Sequence, residues 1–531
     1  MYVLGMTHQV DVAVLGGGLA GTLLARQVRR TMPDLSVALF ERDVERSYKV
    51  GESSVEIAAH YWVRRQGLAS YLHKEHLPKN GLRFFFDSEA RDLPLEQMSE
   101  LGVNGLPPYL SFQLDRARLE HDLLEMNREA GTDVHIGAKV RDLVLGKDGA
   151  RHTFAVDEGD ARSEWSARWV VDATGRESMV AKQLELRVPE KSHRIAASWG
   201  RFEGVADMDD RPGAPEWRNR VNDTCRSLST NHFSYPGYWI WFIPLRDGLT
   251  SLGVVQESKS WSPTRHKAEG LLSFMREHKA VASLIEDVKT IDVGAFTQLA
   301  YRTKRFFSAD RWGLIGDAAA FTDPFYSPGS DFIGTECDFV TDLIRRDIAG
   351  EPLEEPVKLF DDYMQYRFDT TLAVYDQLYP TFGSYELFRA KAFFDTGTYY
   401  NLLFDSFHRE EHLDKRKLRQ ALRRREGAME MMTSVARSFS VAAQEMMRRG
   451  TYYRKNRDCY EVDGRSAFGA FADVGKDRSR REIAARTAVV LERAQELLSV
   501  ALDGDLGPVE PLVRKGDVLQ AELAGPAEHT P

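Results

Sequence analysis

Three glycines spaced Gly16-x-Gly18-x-x-Gly21, followed by Glu41, carry the clearest chemical signal in the chain. Gly16 allows a tight turn, Gly18 lets backbone approach a pyrophosphate, and Gly21 lets the following helix pack close. The helix start then offers N–H donors and the positive end of its dipole to phosphate oxygens. Glu41 lies about 20 residues further on, where a carboxylate accepts ribose hydroxyls, and Arg42 adjoins it. A second constellation is GYWIWFIPL, Gly237 to Leu245. Strand alternation puts Trp239 and Trp241 on one face, with Pro244 ending the ladder or marking an edge. Two indoles on one face read either as a core strand or as a wall around a ligand.

The elements around these residues follow from pattern. DVAVLGGGLAGTLLARQVRR reads as a buried strand, a glycine turn and a helix, and LSVALFERD as a second buried strand. WVVDATG and RWGLIGDAAAF repeat the form of a buried strand ending in a glycine turn. HRIAASWGRFEG, YWIWFIP and TSLGVVQE alternate as antiparallel strands do. The expected fold is α/β: a Rossmann-like binding and catalytic module over residues 8–350, with a mixed β-sheet substrate region inserted at roughly 180–300. Residues 351–503 read as a helical C-terminal region and 504–531 as a flexible tail.

Composition narrows the class. The 531 residues are too many for one simple core, and 43% hydrophobic with 28% charged residues is ordinary for a globular protein. A net charge of −9 gives no reason to expect nucleic-acid binding. Cys225, Cys337 and Cys459 lie far apart without CxxC spacing, which suits a reducing cytoplasm and neither a zinc site nor a disulfide framework. No apolar run reaches the roughly 20 residues that span a bilayer, and the opening MYVLGMTHQV does not read as a signal peptide.

Two later motifs resemble those of FAD-dependent monooxygenases of class A, so the dinucleotide is expected to be FAD. DATGRES, with Asp172 and Gly175, resembles their second glycine motif. GDAAAFTDPFYSPG, Gly316 to Gly329, resembles the segment whose Asp317 meets the ribityl chain and whose loop, through Pro324 and Gly329, reaches the flavin ring. QLDRARLEHDLL, with Asp115 and Arg116, resembles their cofactor-contacting helix start. There is no second GxGxxG, so reduced FAD is expected from a separate flavin reductase.

Beside these motifs, WIWFIP resembles the W-x-W-x-I-P signature of flavin-dependent halogenases. KVGESS resembles their G-E-S/A element and adds Gly51, Glu52 and Ser53 to the cofactor-binding set. LPKNGLRFFF resembles their K-x-G-x-x-F strand, which puts the catalytic lysine at Lys79. The resemblance covers about residues 10–350. It implies that reduced FAD and oxygen oxidise halide to hypohalous acid, which Lys79 directs onto an electron-rich aromatic carbon. Trp239 and Trp241 would keep flavin and substrate apart.

Two departures qualify the match. Tyr326 stands where tryptophan halogenases carry a glutamate, which points to phenols, pyrroles or carrier-bound acyl groups as substrates. Pro328 removes one backbone donor from the halide turn, leaving Gly329 and Ser330 as expected halide ligands. A monooxygenase or dehydrogenase of the same fold that does not use halide is the competing expectation, and a catalytically idle flavoprotein a third. In the helical region, the aromatics between Tyr375 and Phe404 read as helix core or as a lid over a substrate pocket. The basic run between Lys415 and Arg425 reads as a solvated face or as a docking site for an acidic carrier protein.

Overall fold

The structure is a computed structural model that describes residues 7–512, except 46, 211–214, 222 and 461–472. Its first sheet is built on His8–Leu15, whose residues Val12 to Leu15 are fully buried. That strand pairs in parallel with Val37–Glu41 on one side and Ala161–Asp172 on the other. Asp133–Ile136 and Trp312–Leu314 extend the parallel core outward. Helices Leu19–Thr31 and Gly329–Ile348 pack on each other beside it, so the central strands are apolar on both faces. The register sets Leu15 level with Phe40 and Asp172. Three strand ends therefore converge where a doubly wound sheet binds its ligand.

The second sheet has seven strands in the order Lys289–Phe296, Ile195–Glu203, Leu249–Glu257, Tyr238–Pro244, Thr230–Tyr235, Leu82–Phe86 and Ser99–Gly102. All pairs are antiparallel except Thr230–Tyr235 with Leu82–Phe86. Alternation divides its side chains between two cores. Phe84, Trp199, Trp239, Trp241 and Ile243 face one, and Phe85, Phe233, Ile240, Phe242 and Val254 the other. The sheet region expected at roughly 180–300 is thus incomplete: two strands come from residues 82–102. The parallel pairing of Leu82–Phe86 with Thr230–Tyr235, far apart in the chain, leaves no local pattern to read.

The C-terminal region is helical, with Glu354–Ala373, Tyr385–Thr398, Arg425–Arg449 and Arg480–Ala501 as its long elements. The last begins with a capping box in which Ser479 and Glu482 satisfy each other's backbone N–H. The expected α/β fold with a mixed sheet and a helical C-terminal part is what the structure shows. The expected tail differs in part: Val509 and Leu512 are buried in the main core, while 513–531 lie outside the described residues. Two apolar side chains in a Pro- and Gly-rich stretch were too few to signal that packing. Among the described residues, no helix is long and apolar enough to cross a membrane, and no group of three His, Cys, Asp or Glu could hold a metal ion.

Candidate active site

The glycine turn after His8–Leu15 is shaped by what each glycine meets. Gly16 has φ +107° and an added Cβ would strike the Ala173 carbonyl. At Gly21 a Cβ would strike the Gly16 carbonyl. Gly18 is different: its nearest neighbours would be Glu120 Oε2 and Lys49 Nζ, each 3.8 Å away, so its surface is open to a ligand. Glu41 braces the turn, accepting from Gly17 N at 2.6 Å and from Asp43 N at 2.9 Å.

From here a cavity of about 940 Å³ runs along the strand ends to the second sheet, near the top of the roughly 300–1,000 Å³ range of ligand sites. Of the expected residues, Gly16, Gly18, Glu41, Arg42, Gly51, Glu52, Ser53, Arg116, Gly175, Gly316, Asp317, Pro324, Gly329, Ser330, Trp239 and Trp241 line it. Asp172 does not. It is fully buried, and its carboxylate accepts from Thr174 N, Thr174 Oγ1 and Val180 N at 3.0, 2.6 and 2.7 Å. It therefore holds the second glycine turn. An elongated cavity with phosphate-ready backbone at one end and indoles at the other fits a bound FAD.

The loop beyond Gly316 also lines the cavity. Glu336 Oε2 accepts from Gly316 N at 2.6 Å, and burial pushes its carboxyl up to about 8. A tight turn joins Ser327 N to Pro324 O at 2.9 Å and forces Ser327 to φ +55°. Helix Gly329–Ile348 begins immediately afterwards. Asp331 N and Phe332 N bond back to Pro328 O, whereas the amides of Gly329 and Ser330 have no protein acceptor among the described residues. First-turn amides of a 20-residue helix suit an anion. The missing Pro328 donor therefore does not empty the site of donors.

Two of the indoles, Trp241 and Trp199, are seated on glycines. Trp241 pairs across strands with Gly253, Gly253 with Trp199, and Trp199 with Gly294. A Cβ on Gly253 would fall on the Trp241 ring, and one on Gly294 on the Trp199 ring. Trp241 Nε1 donates to Ser251 Oγ at 3.1 Å. Trp239 Nε1 donates to Tyr379 Oη at 3.2 Å, and Tyr379 donates to Asp323 at 2.7 Å, which also takes His193 at 2.7 Å. Tyr379 comes from the aromatic segment of the helical region, so that segment both packs as core and reaches the indole wall.

Lys79 lies just off the cavity, only 3% exposed. Its Nζ donates to Ser54 O at 2.7 Å and Ser53 Oγ at 2.9 Å. Burial lowers its pKa to about 8, against the pull of nearby Glu56 and Asp331. Burial first, then Lys79, holds His232 on the cavity wall down at about 3. Sequence reading missed Arg176, Thr230, His232, Asp323 and Tyr379. Arg176, inside DATGRES, and Asp323, beside Pro324, had a motif around them; Thr230, His232 and Tyr379 had none.

A cavity at the strand ends of a doubly wound sheet, with this glycine turn and flavin-type loop, defines an FAD-dependent enzyme. Residues 9–331 match the FAD binding domain family, and the chain belongs to it. Its relatives include the flavin-dependent halogenase chlA of Dictyostelium discoideum, 27% identical over 443 residues, 76% of this chain and 72% of that protein. Another is the 1H-pyrrole-2-carbonyl-[peptidyl-carrier protein] chlorinase of Pseudomonas fluorescens, 25% identical over 342 residues, 61% of this chain and 72% of that protein. Among solved structures, halogenase PltM superposes with a TM-score of 0.70 at 17% identity, over 93% of this chain and 99% of that one. These relatives agree with the resemblance to flavin-dependent halogenases read from the motifs, and the protein is an FAD-dependent oxidoreductase.

Proposed function

We propose that the protein halogenates an electron-rich aromatic, a phenol, a pyrrole or a carrier-bound acyl group, by way of hypohalous acid and Lys79. The observation that carries this reading is Lys79 itself: a buried amine with a lowered pKa, one hydroxyl away from the flavin cavity. When bound in reduced form, FAD supplies the electrons with which oxygen is activated to oxidise halide. The chain's own residues do the rest. The Gly16 to Gly21 turn and Arg116 hold the cofactor, and the amides of Gly329 and Ser330 hold halide at the flavin end. Trp199, Trp239 and Trp241 form a dry wall that keeps the aromatic substrate away from the flavin. Lys79 has two of its four tetrahedral positions given to Ser53 and Ser54. In the neutral amine a lone pair remains to accept the O–H of hypohalous acid and orient its halogen toward the substrate.

The single glycine fingerprint is taken by FAD, which supports a separate flavin reductase as the source of reduced cofactor. The testing experiment combines enzyme, a flavin reductase, FAD and chloride or bromide with a panel of phenols, pyrroles, indoles and carrier-bound pyrrole-2-carbonyl, read by mass spectrometry. A halogenated product that requires Lys79 supports the reading. Hydroxylated product without halide incorporation would replace it with the monooxygenase alternative.

A further inference from the structure

Four polar side chains stand in line between the flavin cavity and the interior. Ser53 and Thr230 line the cavity wall, with their hydroxyl oxygens 2.9 Å apart. Lys79 Nζ donates to Ser53 Oγ, so the single Ser53 hydrogen is free to point at Thr230. Thr230 in turn reaches Gln113 Oε1 at 3.4 Å. The chain of donors thus runs one way, from amine to amide. At its end Gln113 is 1% exposed, and its Nε2 has no acceptor among the described residues. A buried donor left unpaired is costly, and buried polar groups normally find a partner.

These groups ask for a small guest that both donates and accepts. A bare halide ion accepts only, and would leave the second lone pair of Thr230 Oγ1 without a donor. A neutral oxyacid, X–O–H, meets both demands: its oxygen accepts from an N–H or O–H, and its own hydrogen goes to a hydroxyl. We propose that Ser53, Thr230 and Gln113 form a relay station that takes hypohalous acid from the flavin cavity and hands it to Lys79. The proposal rests on the halogenase reading above. No covalent bond changes in the transfer. The guest exchanges hydrogen bonds with the station for one to the lysine nitrogen. Thr230 and Gln113 are positioning residues here, and Ser53 links the cavity wall to the lysine.

The test uses the full-length holoenzyme with a flavin reductase and a substrate found by the product screen. Two quantities are read: halogenated product per oxygen consumed, and halogenation of a freely diffusing scavenger in the bulk. In Thr230→Val the first should fall about tenfold, the scale of one lost hydrogen bond, while scavenger halogenation rises. Thr230→Ser should return the ratio to near wild type, which a merely structural role for the hydroxyl does not require of both readouts together. Should Thr230→Val fail to hold FAD, Gln113→Leu, behind the cavity wall, carries the same expectation. Unchanged ratios in these variants of a working halogenase overturn the station and leave the halogenase reading standing. A wild-type enzyme that halogenates neither substrate nor scavenger overturns that reading, and the station falls with it.

Discussion

Tyr326 donates its hydroxyl to Asp395 at 2.8 Å, tying the flavin loop to helix Tyr385–Thr398. Asp395 is also paired with Lys391, which is 1% exposed. Burial pushes the Asp395 carboxyl up, with Lys391 and then Tyr326 pulling it back. Tyr326→Phe leaves the ion pair intact and should cost about 1–3 kcal/mol. Lys391→Met strands a buried carboxylate and should cost about 3–5 kcal/mol. Urea unfolding of the holoenzyme ranks the two, and a Tyr326→Phe midpoint equal to wild type would refute the tether.

The three glycines of the turn should fail in different ways. Gly16→Ala puts a Cβ against the Ala173 carbonyl in a left-handed backbone, so it should lose both fold stability and FAD. Gly18→Val meets open space and should fold with a near wild-type melting temperature, yet bind no FAD because the side chain fills the pyrophosphate's place. Flavin absorbance beside thermal melts separates the cases. Full FAD occupancy in Gly18→Val would show that the dinucleotide does not lie over this turn.

Lys79 acts as a free amine in the proposed reaction, and burial lowers its pKa to about 8. The neutral form grows as pH rises, so product per oxygen consumed should climb between about pH 7 and 9 and then level off. Lys79→Arg should abolish product, because a guanidinium stays protonated, and Lys79→Ala should do the same. A Lys79→Ala enzyme that still halogenates, or a wild-type ratio flat across that range, would remove the lysine from the mechanism.

Tyr379 joins Trp239 to Asp323 through one hydroxyl. Tyr379→Phe leaves the indole N–H without its acceptor and should lower stability by about 1–3 kcal/mol. Trp239→Ala empties far more volume and should cost about 3–5 kcal/mol. In the double variant the losses should not add, since both changes break the same hydrogen bond. Strict additivity in chemical unfolding would mean that the bond contributes nothing.

Local pattern revealed much of this molecule. The glycine turn, Glu41 and the alternating strand of Trp239 and Trp241 follow from spacing and period, because each is specified within about 25 residues of chain. What stayed hidden depends on distance in sequence. Strand Thr230–Tyr235 lies beside Leu82–Phe86 with nearly 150 residues between them. That pairing sets Thr230 opposite Leu82, at the end of the segment that carries Lys79. Tyr379 could be seen as one aromatic among many, but not as the partner of Trp239. The motif around Asp172 does not say that its side chain turns inward to Thr174 and Val180.

The row Trp241, Gly253, Trp199, Gly294 spans four strands at one level. Each indole lies on a glycine, so neither member of a pair can change alone. A smaller residue at 241 bares the backbone of Gly253, and any side chain at Gly253 evicts the indole. Across descendants of this protein, then, the positions should be inherited in pairs. A lineage that reshapes this wall for a different aromatic must cross a less stable intermediate or change two codons together. The wall is slow to evolve for reasons written in the backbone, and diversification of substrate is left to the surfaces around it.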